Sequence, residues 1–299
     1  MVDRQTKTTL WLTTVATGLV ACTSAEDRVQ KDQQPPDLVF VRYADDGSDL
    51  FGLHLSDMST TQLTDTEAIE EFPVWSPDGA RIAFLSIIDD QVVVKIRTVG
   101  AGEEDLSLPS IDQPVSWSGD SGALITTRES DDSRGLIVVS TADGSETAVP
   151  TGADGDAYAT WSPADDIVAF ESTRDGNPEI YSIRIGGSEA QRLTNNTVLD
   201  EWPQWSHSGE YIAYASGVEG DKDLWVMRND GTQKRQLTND VLFGDSYPSW
   251  SPDDSRLVIT VQDGESGTSL MIVDVASAAM VPLVEGASAS WRPSGNQEL

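Results

Sequence analysis

The chain has 299 residues, of which 38% are hydrophobic, and its 50 acidic and 19 basic residues give a formal net charge of −31. This charge disfavours binding to nucleic acid or to an anionic membrane surface, because phosphates would be repelled, and it favours cations or basic partners. The single cysteine, Cys22, rules out an internal disulfide bond.

The first segment of the chain has the features of an export signal. Arg4 and Lys7 precede an apolar, threonine-rich run from 8 to 21, which is typical of the hydrophobic region of a signal peptide. The run ends Leu-Val-Ala-Cys, like a bacterial lipobox. We therefore expect residues 1–21 to be a lipoprotein signal peptide and Cys22 to be lipidated. The alternative is an ordinary secretory signal with a chance cysteine.

Residues 22–36 are polar and end in two prolines, which predicts a flexible tether. Either kind of signal exports the protein, so we expect it in the bacterial cell envelope. Thr23 stands where many Gram-negative lipoproteins of the inner membrane carry Asp. This favours a lipid anchor in the outer membrane, with the protein in the periplasm.

The rest of the chain repeats a short motif centred on tryptophan. The first copy reads Pro-Val-Trp-Ser-Pro-Asp-Gly at 73–79, and successive tryptophans are 42, 44, 44, 45 and 41 residues apart. A fixed period of this size marks a repeat architecture, in which one unit cannot bury its apolar face alone. The repeat tryptophans are Trp75, Trp117, Trp161, Trp205, Trp250 and Trp291.

Each unit predicts four short strands. In the third unit they cover 158–162, 167–173, 179–185 and 190–194, and the turns between them are rich in Pro, Asp, Gly and Asn. Four strands in a unit of about 44 residues describe one blade of a β-propeller.

The two ends of the chain complement each other. Segments 38–43, 51–55 and 60–64 match strands two to four of a unit, whereas 287–291 supplies only a first strand. We therefore expect residues 37–299 to form an all-β, six-bladed β-propeller of four-stranded antiparallel blades. The C-terminal strand would join the N-terminal three and close the ring. Each repeat tryptophan would lie on an innermost strand and pack between neighbouring blades.

The motifs resemble those of the TolB-type propeller family, whose PD40 or WD40-like repeats carry a Trp-Ser-Pro-Asp-Gly pattern. Matching segments are Leu193-Thr194, Pro203-x-Trp205-Ser206, Ile212-Ala213-Tyr214 and Leu224-Trp225-Val226-Met227. Such propellers are docking platforms, accessory domains of enzymes and occasionally enzymes. The resemblance implies peptide docking at the mouth of the central channel and makes a bound calcium ion plausible there. TolB itself has an N-terminal α/β domain, where this chain has the short linker.

An acidic residue stands five positions before five of the six repeat tryptophans. These carboxylates should gather near one mouth of the channel, where Glu71 and Glu201 would add to them. They could bind a divalent cation such as calcium or attract a basic or N-terminal peptide segment. Alternatively, they accept backbone hydrogen bonds in turns and have a structural role. The residues are Glu70, Asp112, Asp156, Asp200 and Asp245.

An aromatic residue stands three positions before four of the repeat tryptophans. Beside an acidic tier, these rings suit a peptide or a sugar surface. Packing between blades explains them equally well. The residues are Phe72, Tyr158, Trp202 and Tyr247.

No catalytic constellation stands out. The only histidines, His54 and His207, cannot supply the usual zinc ligands or a convincing base for a nucleophile. We therefore predict a non-catalytic, monomeric platform that binds an envelope protein or a basic peptide segment. One alternative is a carbohydrate-active enzyme that uses channel carboxylates, one of them with a raised pKa in an apolar pocket. Another is a propeller that calcium stabilises.

Overall fold

A computed structural model describes residues 35–44, 47–89, 91–100, 102–104, 114–130, 133–239, 248–263 and 267–293. Regular structure in these residues consists of β-strands alone. Within the same ranges, no helix was found that could span a membrane. The predicted signal peptide, most of the tether and the predicted lipidation site Cys22 lie outside the described residues.

The strands at the two ends of the chain share one sheet. β1 (Leu38–Ala44), β2 (Gly47–His54) and β3 (Ser59–Gln62) form an antiparallel meander, and the last strand, β24 (Ala287–Trp291), pairs antiparallel with β1. A single parallel bridge between Ser48 and Ile69 links this group to the next one. That next group contains β4 (Ile69–Trp75), β5 (Arg81–Ile88), β6 (Gln91–Thr98) and β7 (Gly102–Glu104).

The remaining strands form further four-stranded antiparallel sheets in chain order. The first contains β8 (Ser116–Trp117), β9 (Ala123–Ser130), β10 (Ser133–Ser140) and β11 (Glu146–Ala148). The second contains β12 (Ala157–Trp161), β13 (Ile167–Ser172), β14 (Glu179–Arg184) and β15 (Gln191–Arg192). The third contains β16 (Leu199–Trp205), β17 (Tyr211–Val218), β18 (Asp221–Arg228) and β19 (Arg235–Gln236). The last contains β20 (Ser249–Trp250), β21 (Arg256–Asp263), β22 (Gly267–Asp274) and β23 (Met280–Glu285). The predicted all-β fold with four-stranded antiparallel blades is confirmed.

Every repeat tryptophan ends the first strand of its group, and we call β4, β8, β12, β16, β20 and β24 the inner strands. These tryptophans are between 2% and 9% exposed and belong to apolar clusters between neighbouring sheets. Trp117, for example, packs with Leu85 of the preceding sheet and Leu124 of its own. Its indole N–H donates to the Val74 carbonyl oxygen at 3.1 Å. The tryptophans therefore hold adjacent sheets together, as the sequence predicts.

Hydroxyl groups one residue before the tryptophans join successive inner strands. Ser116 Oγ accepts a hydrogen bond from the Trp161 backbone N–H at 3.0 Å, and Ser249 Oγ accepts one from Trp291 N–H at 3.0 Å. Ser290 Oγ of the last strand accepts from Trp75 N–H of β4 at 3.2 Å. These side chains satisfy backbone donors that no strand partner reaches.

We expect Ser249→Ala to lower the free energy of unfolding by about 1 kcal/mol, the usual net loss when a buried donor loses its acceptor. Urea unfolding followed by circular dichroism measures this change. The exposed Ser188 offers a matched control, and Ser188→Ala should leave stability within about 0.5 kcal/mol of the wild type. Equal effects of the two substitutions would contradict a role for Ser249 in joining β20 to β24.

Candidate functional site

The described members of the predicted acidic ring are buried. Glu70, Asp156 and Asp200 are each 0% exposed and lie at the start of β4, just before β12 and near the start of β16. Asp112 and Asp245, the other two predicted members, lie outside the described residues.

These buried carboxylates are bonded within the protein. Asp156 accepts two hydrogen bonds from Arg174 Nη2, at 2.8 and 3.1 Å. Asp200 accepts from Ser216 Oγ at 2.5 Å and from Asn196 Nδ2 at 2.7 Å. Burial raises the pKa of Asp200, against the lowering effect of these bonds. Such contacts fit the structural role that the sequence analysis gave as an alternative for these carboxylates. A direct contact between the carboxylates and a binding partner stays a prediction.

The predicted aromatic residues share an uncommon backbone conformation. Phe72, Tyr158 and Trp202 have φ angles of 51°, 51° and 53°, and at each of them the inner strand shifts register against the next strand. Bulky residues rarely adopt this left-handed region, and a bulge redirects a side chain out of the normal alternation. All three side chains are half-buried. Tyr247, the fourth predicted member, lies outside the described residues.

The strained bulges mark one end of the inner strands, which we call the bulge end. Backbone strain of about 1 to 3 kcal/mol persists only where the surrounding structure enforces it, and it is common at functional sites. The same conformation recurs three residues before Trp in four described units, since Ser288 in the bulge of β24 has a φ angle of 48°. This repetition makes the bulge end the candidate functional site.

Two cations lie over aromatic rings at this end. Arg134 lies 5.8 Å from the centroid of the Tyr158 ring, and Lys222 lies 4.7 Å from that of Trp202. Lys222 Nζ is also 2.5 Å from Glu201 Oε2. Lys222 therefore contacts both a carboxylate and an aromatic face, which together form a favourable environment for a cation.

A third carboxyl group at the bulge end was missed by the sequence reading. β4 and β16 carry Glu71 and Glu201 four residues before Trp, opposite Leu85 and Ala215 of their neighbouring strands. β12 carries Ala157 at that position, and its strand partner is Glu171 of β13. In this unit the acidic residue therefore lies on the second strand of the sheet, β13, and not on the inner strand. The sequence signal was a charged residue where the equivalent positions of other units are uncharged, as at Leu85, Thr127, Ala215 and Thr260.

Burial favours the protonated form of Glu171 at neutral pH. Glu171 is only 8% exposed, and this burial raises the pKa of its carboxyl group to about 8. The charge of Glu201 also raises this pKa, whereas Arg134 and Lys222 lower it. Burial likewise raises the pKa of Glu71. We call Arg134, Tyr158, Glu171, Glu201, Trp202 and Lys222 the bulge-end cluster.

Residues of the inner strands also line two cavities. One, of about 70 Å³, is bordered by Phe72, Ser116, Gln204, Ser249 and Ser290 among others. The second, of about 400 Å³, lies at the tryptophan end of the same strands and is bordered by the six repeat tryptophans and Pro77, Pro163, Pro252 and Pro293. Gln204 borders both cavities and accepts a hydrogen bond from Thr160 Oγ1 at 3.3 Å.

The described residues hold no group of three or more His, Cys, Asp or Glu side chains suited to a metal ion. Two predicted members of the acidic ring lie outside these residues, so the calcium site at the channel mouth stays a prediction.

We expect Lys222 to stabilise the bulge end. Lys222→Met is expected to cost about 3 kcal/mol, because it leaves the largely buried Glu201 carboxylate without its cation. The double variant Lys222→Met/Glu201→Gln should regain most of this loss, since it removes the buried charge as well. Chemical denaturation at pH 8 measures both variants. A double variant no more stable than Lys222→Met would contradict this pairing.

Comparison with known proteins identifies the fold. A family model described as the TolB beta propeller domain (PD40) matches residues 73–295. TolB from Acinetobacter baumannii has a similar structure, with a TM-score of 0.76 and 20% sequence identity over 86% of this chain. This chain spans only 66% of that protein. No curated protein sequence matches the chain.

Other solved structures share the architecture at low identity. A putative TolB from Agrobacterium tumefaciens has a TM-score of 0.69 at 19% identity, with 81% of this chain and 93% of that chain covered. An oligogalacturonate lyase from Vibrio parahaemolyticus has a TM-score of 0.57 at 14% identity, with 83% and 74% covered. At these identities the likeness concerns the fold alone.

Proposed function

Because the chain belongs to the TolB beta propeller domain family, we propose that it is a non-catalytic platform that binds a protein in the bacterial cell envelope. Residues 37–299 would form the propeller, residues 22–36 the tether and Cys22 the lipid anchor of a periplasmic, outer-membrane protein. Residues 1–21 would be its signal peptide.

In this proposal the propeller has six blades around a central channel. β24 pairs with β1 and also contacts β20 and β4, which supports a ring closed by the two ends of the chain. The two cavities bordered by inner strands then lie along the channel, and the bulge end is one of its mouths.

The observation that carries the proposal is the repeated aromatic bulge. It presents half-buried Phe72, Tyr158 and Trp202 beside the acidic residues Glu71, Glu171 and Glu201. Aromatic side chains are enriched at protein interfaces. With a net charge of −31, the chain favours a basic segment as the docking element.

The predicted ring carboxylates have a supporting role in this proposal. Glu70, Asp156 and Asp200 hold the loops and strands of the mouth in place through their internal bonds. A calcium ion at the mouth, with Asp112 and Asp245 as additional ligands, is a further proposal. It predicts a higher melting temperature in calcium than in EGTA, and equal values would remove it.

Crosslinking in intact cells, followed by affinity recovery, tests the docking function. The mouth variant combines Glu71→Gln, Tyr158→Gly and Trp202→Gly, since glycine accepts the left-handed conformation at the two bulges. A control variant combines Glu210→Gln and Val281→Gly, at residues that are exposed elsewhere on the fold. Melting curves first establish that both are folded.

We expect one partner to be recovered with the wild type and the control but lost with the mouth variant. Recovery of the same partner with all three proteins would place binding elsewhere and contradict the proposal.

A second candidate function is carbohydrate cleavage, which the neutral Glu171 carboxyl favours. Glycosidases use such a group as general acid and a second carboxylate as base or nucleophile. Glu201 is the available second group, but Lys222 already pairs with it. Hydrolysis of a polysaccharide panel that disappears in Glu171→Gln would establish this function, and the absence of activity in the wild type would dismiss it.

A further inference from the structure

We propose that Glu171 and Glu201 form a cation subsite, which takes one ammonium or guanidinium group of the docking partner and releases one proton when that group binds. This inference rests on the docking function proposed above and assigns the residues and the charge balance of that site.

The binding mode is already visible within the protein. Lys222 places its ammonium group 2.5 Å from Glu201 Oε2 and 4.7 Å from the centroid of the Trp202 ring. A carboxylate and an aromatic face thus hold one cation at this end of the inner strands. One sheet earlier, the Tyr158 ring lies next to the Glu171 position and has Arg134 5.8 Å from its centroid.

Glu171 has a vacant acceptor. Its Oε2 atom is buried and has no hydrogen-bond partner among the described residues. The residue as a whole is only 8% exposed. A buried polar atom without a partner costs about 1 to 3 kcal/mol, and an ionised one costs more. Protonation removes the additional cost of the ionised form in the free protein, and a ligand cation would offset that cost in the complex.

The surrounding charged groups leave Glu171 available. Just before β12, Asp156 is bonded to Arg174, and on β14, Glu179 is bonded to Arg192. The remaining charges that act on Glu171 are those of Arg134 on β10, Glu201 on β16 and Lys222 on β18.

The charge balance favours exchange of a proton for a cation. In the free protein Glu171 is neutral at pH 7, because burial raises its pKa to about 8. A ligand cation beside it stabilises the ionised form, so the pKa falls and the proton leaves. One positive charge enters as one proton departs, and the net charge of the bulge-end cluster is unchanged. Affinity should therefore rise with pH up to about 8 and level off above it.

Isothermal titration calorimetry of the full chain tests this coupling. The probe is the synthetic peptide acetyl-(Gly-Lys)₄-amide, at physiological ionic strength and pH 7, in two buffers with different ionisation enthalpies. The dependence of the heat on the buffer counts the protons released. We expect a count approaching one for the wild type and for the control Glu210→Gln, and close to zero for Glu171→Gln.

The pH dependence gives a second readout. Wild-type affinity should rise by up to about tenfold per pH unit between pH 6 and 8, whereas that of Glu171→Gln should stay level. Gln has the shape of the neutral Glu that the fold already accommodates, and Glu171→Met offers a second uncharged variant.

The outcomes separate the two proposals. If the peptide binds without proton release, or if Glu171→Gln releases the proton as the wild type does, the cation subsite is overturned and docking stands. If the peptide does not bind the wild type at all, basic docking fails, and the subsite fails with it.

Discussion

Trp291→Ala is expected to lower the free energy of unfolding by about 3 to 5 kcal/mol, the range for removing a large aromatic side chain from a core. Trp291 is 5% exposed and lies on the last strand, opposite Leu38 of the first strand. It packs in one apolar cluster with Leu38 and Phe40 from the N-terminal strands and with Val258 of the neighbouring sheet. Its loss therefore loosens the contact between the two ends of the chain.

Urea unfolding followed by far-ultraviolet circular dichroism measures the loss. The control is Val281→Ala at a residue that is 56% exposed, for which the change should be within about 0.5 kcal/mol. A Trp291→Ala protein as stable as this control would contradict the pairing of the C-terminal strand with the N-terminal sheet.

Glu171→Gln is expected to be increasingly more stable than the wild type as the pH rises from 5 to 8. In the folded wild type the pKa of Glu171 is raised from 4.5 to about 8, mainly by burial. The unfolded chain therefore loses this proton at lower pH than the folded protein, and the folded state loses stability over the interval between the two pKa values. The glutamine cannot ionise and avoids the loss. A pKa shift of this size corresponds to a difference in the free energy of unfolding between Glu171→Gln and the wild type on the order of 4 kcal/mol at pH 9.

Denaturation of both proteins at pH 5, 7 and 9 measures this difference directly. Comparison with the wild type at each pH cancels the contribution of the other acidic residues. The exposed Glu210 supplies the control, and Glu210→Gln should follow the wild-type curve. A constant difference between Glu171→Gln and the wild type would contradict the buried, neutral state of Glu171.

Much of the fold could be predicted from the sequence because the repeat carries its own marker. The spacing of the tryptophans defines the units, and the turn residues around them separate the strands. The predicted strands at 167–173 and 179–185, for example, correspond to Ile167–Ser172 and Glu179–Arg184. The outer strand of this unit is shorter than predicted, since the strand expected at 190–194 covers only Gln191–Arg192.

The candidate site was only partly predictable, because spacing does not give the direction of a side chain. The bulges at Phe72, Tyr158 and Trp202 interrupt the alternation of inward and outward residues, and nothing in the local sequence signals their left-handed conformation. Burial of the acidic residues depends on partners far along the chain, such as Arg174 for Asp156. Glu171 was missed because only strand pairing places it opposite Ala157.

The bulge end can be tested most directly by site-specific photo-crosslinking in cells. The photoreactive residue p-benzoylphenylalanine is placed at position 158, in the bulge of β12, and separately at position 281, on the exposed strand β23. We predict that a single partner crosslinks through position 158 and not through position 281. Adducts that form at position 281 while position 158 gives none would contradict docking at the bulge end.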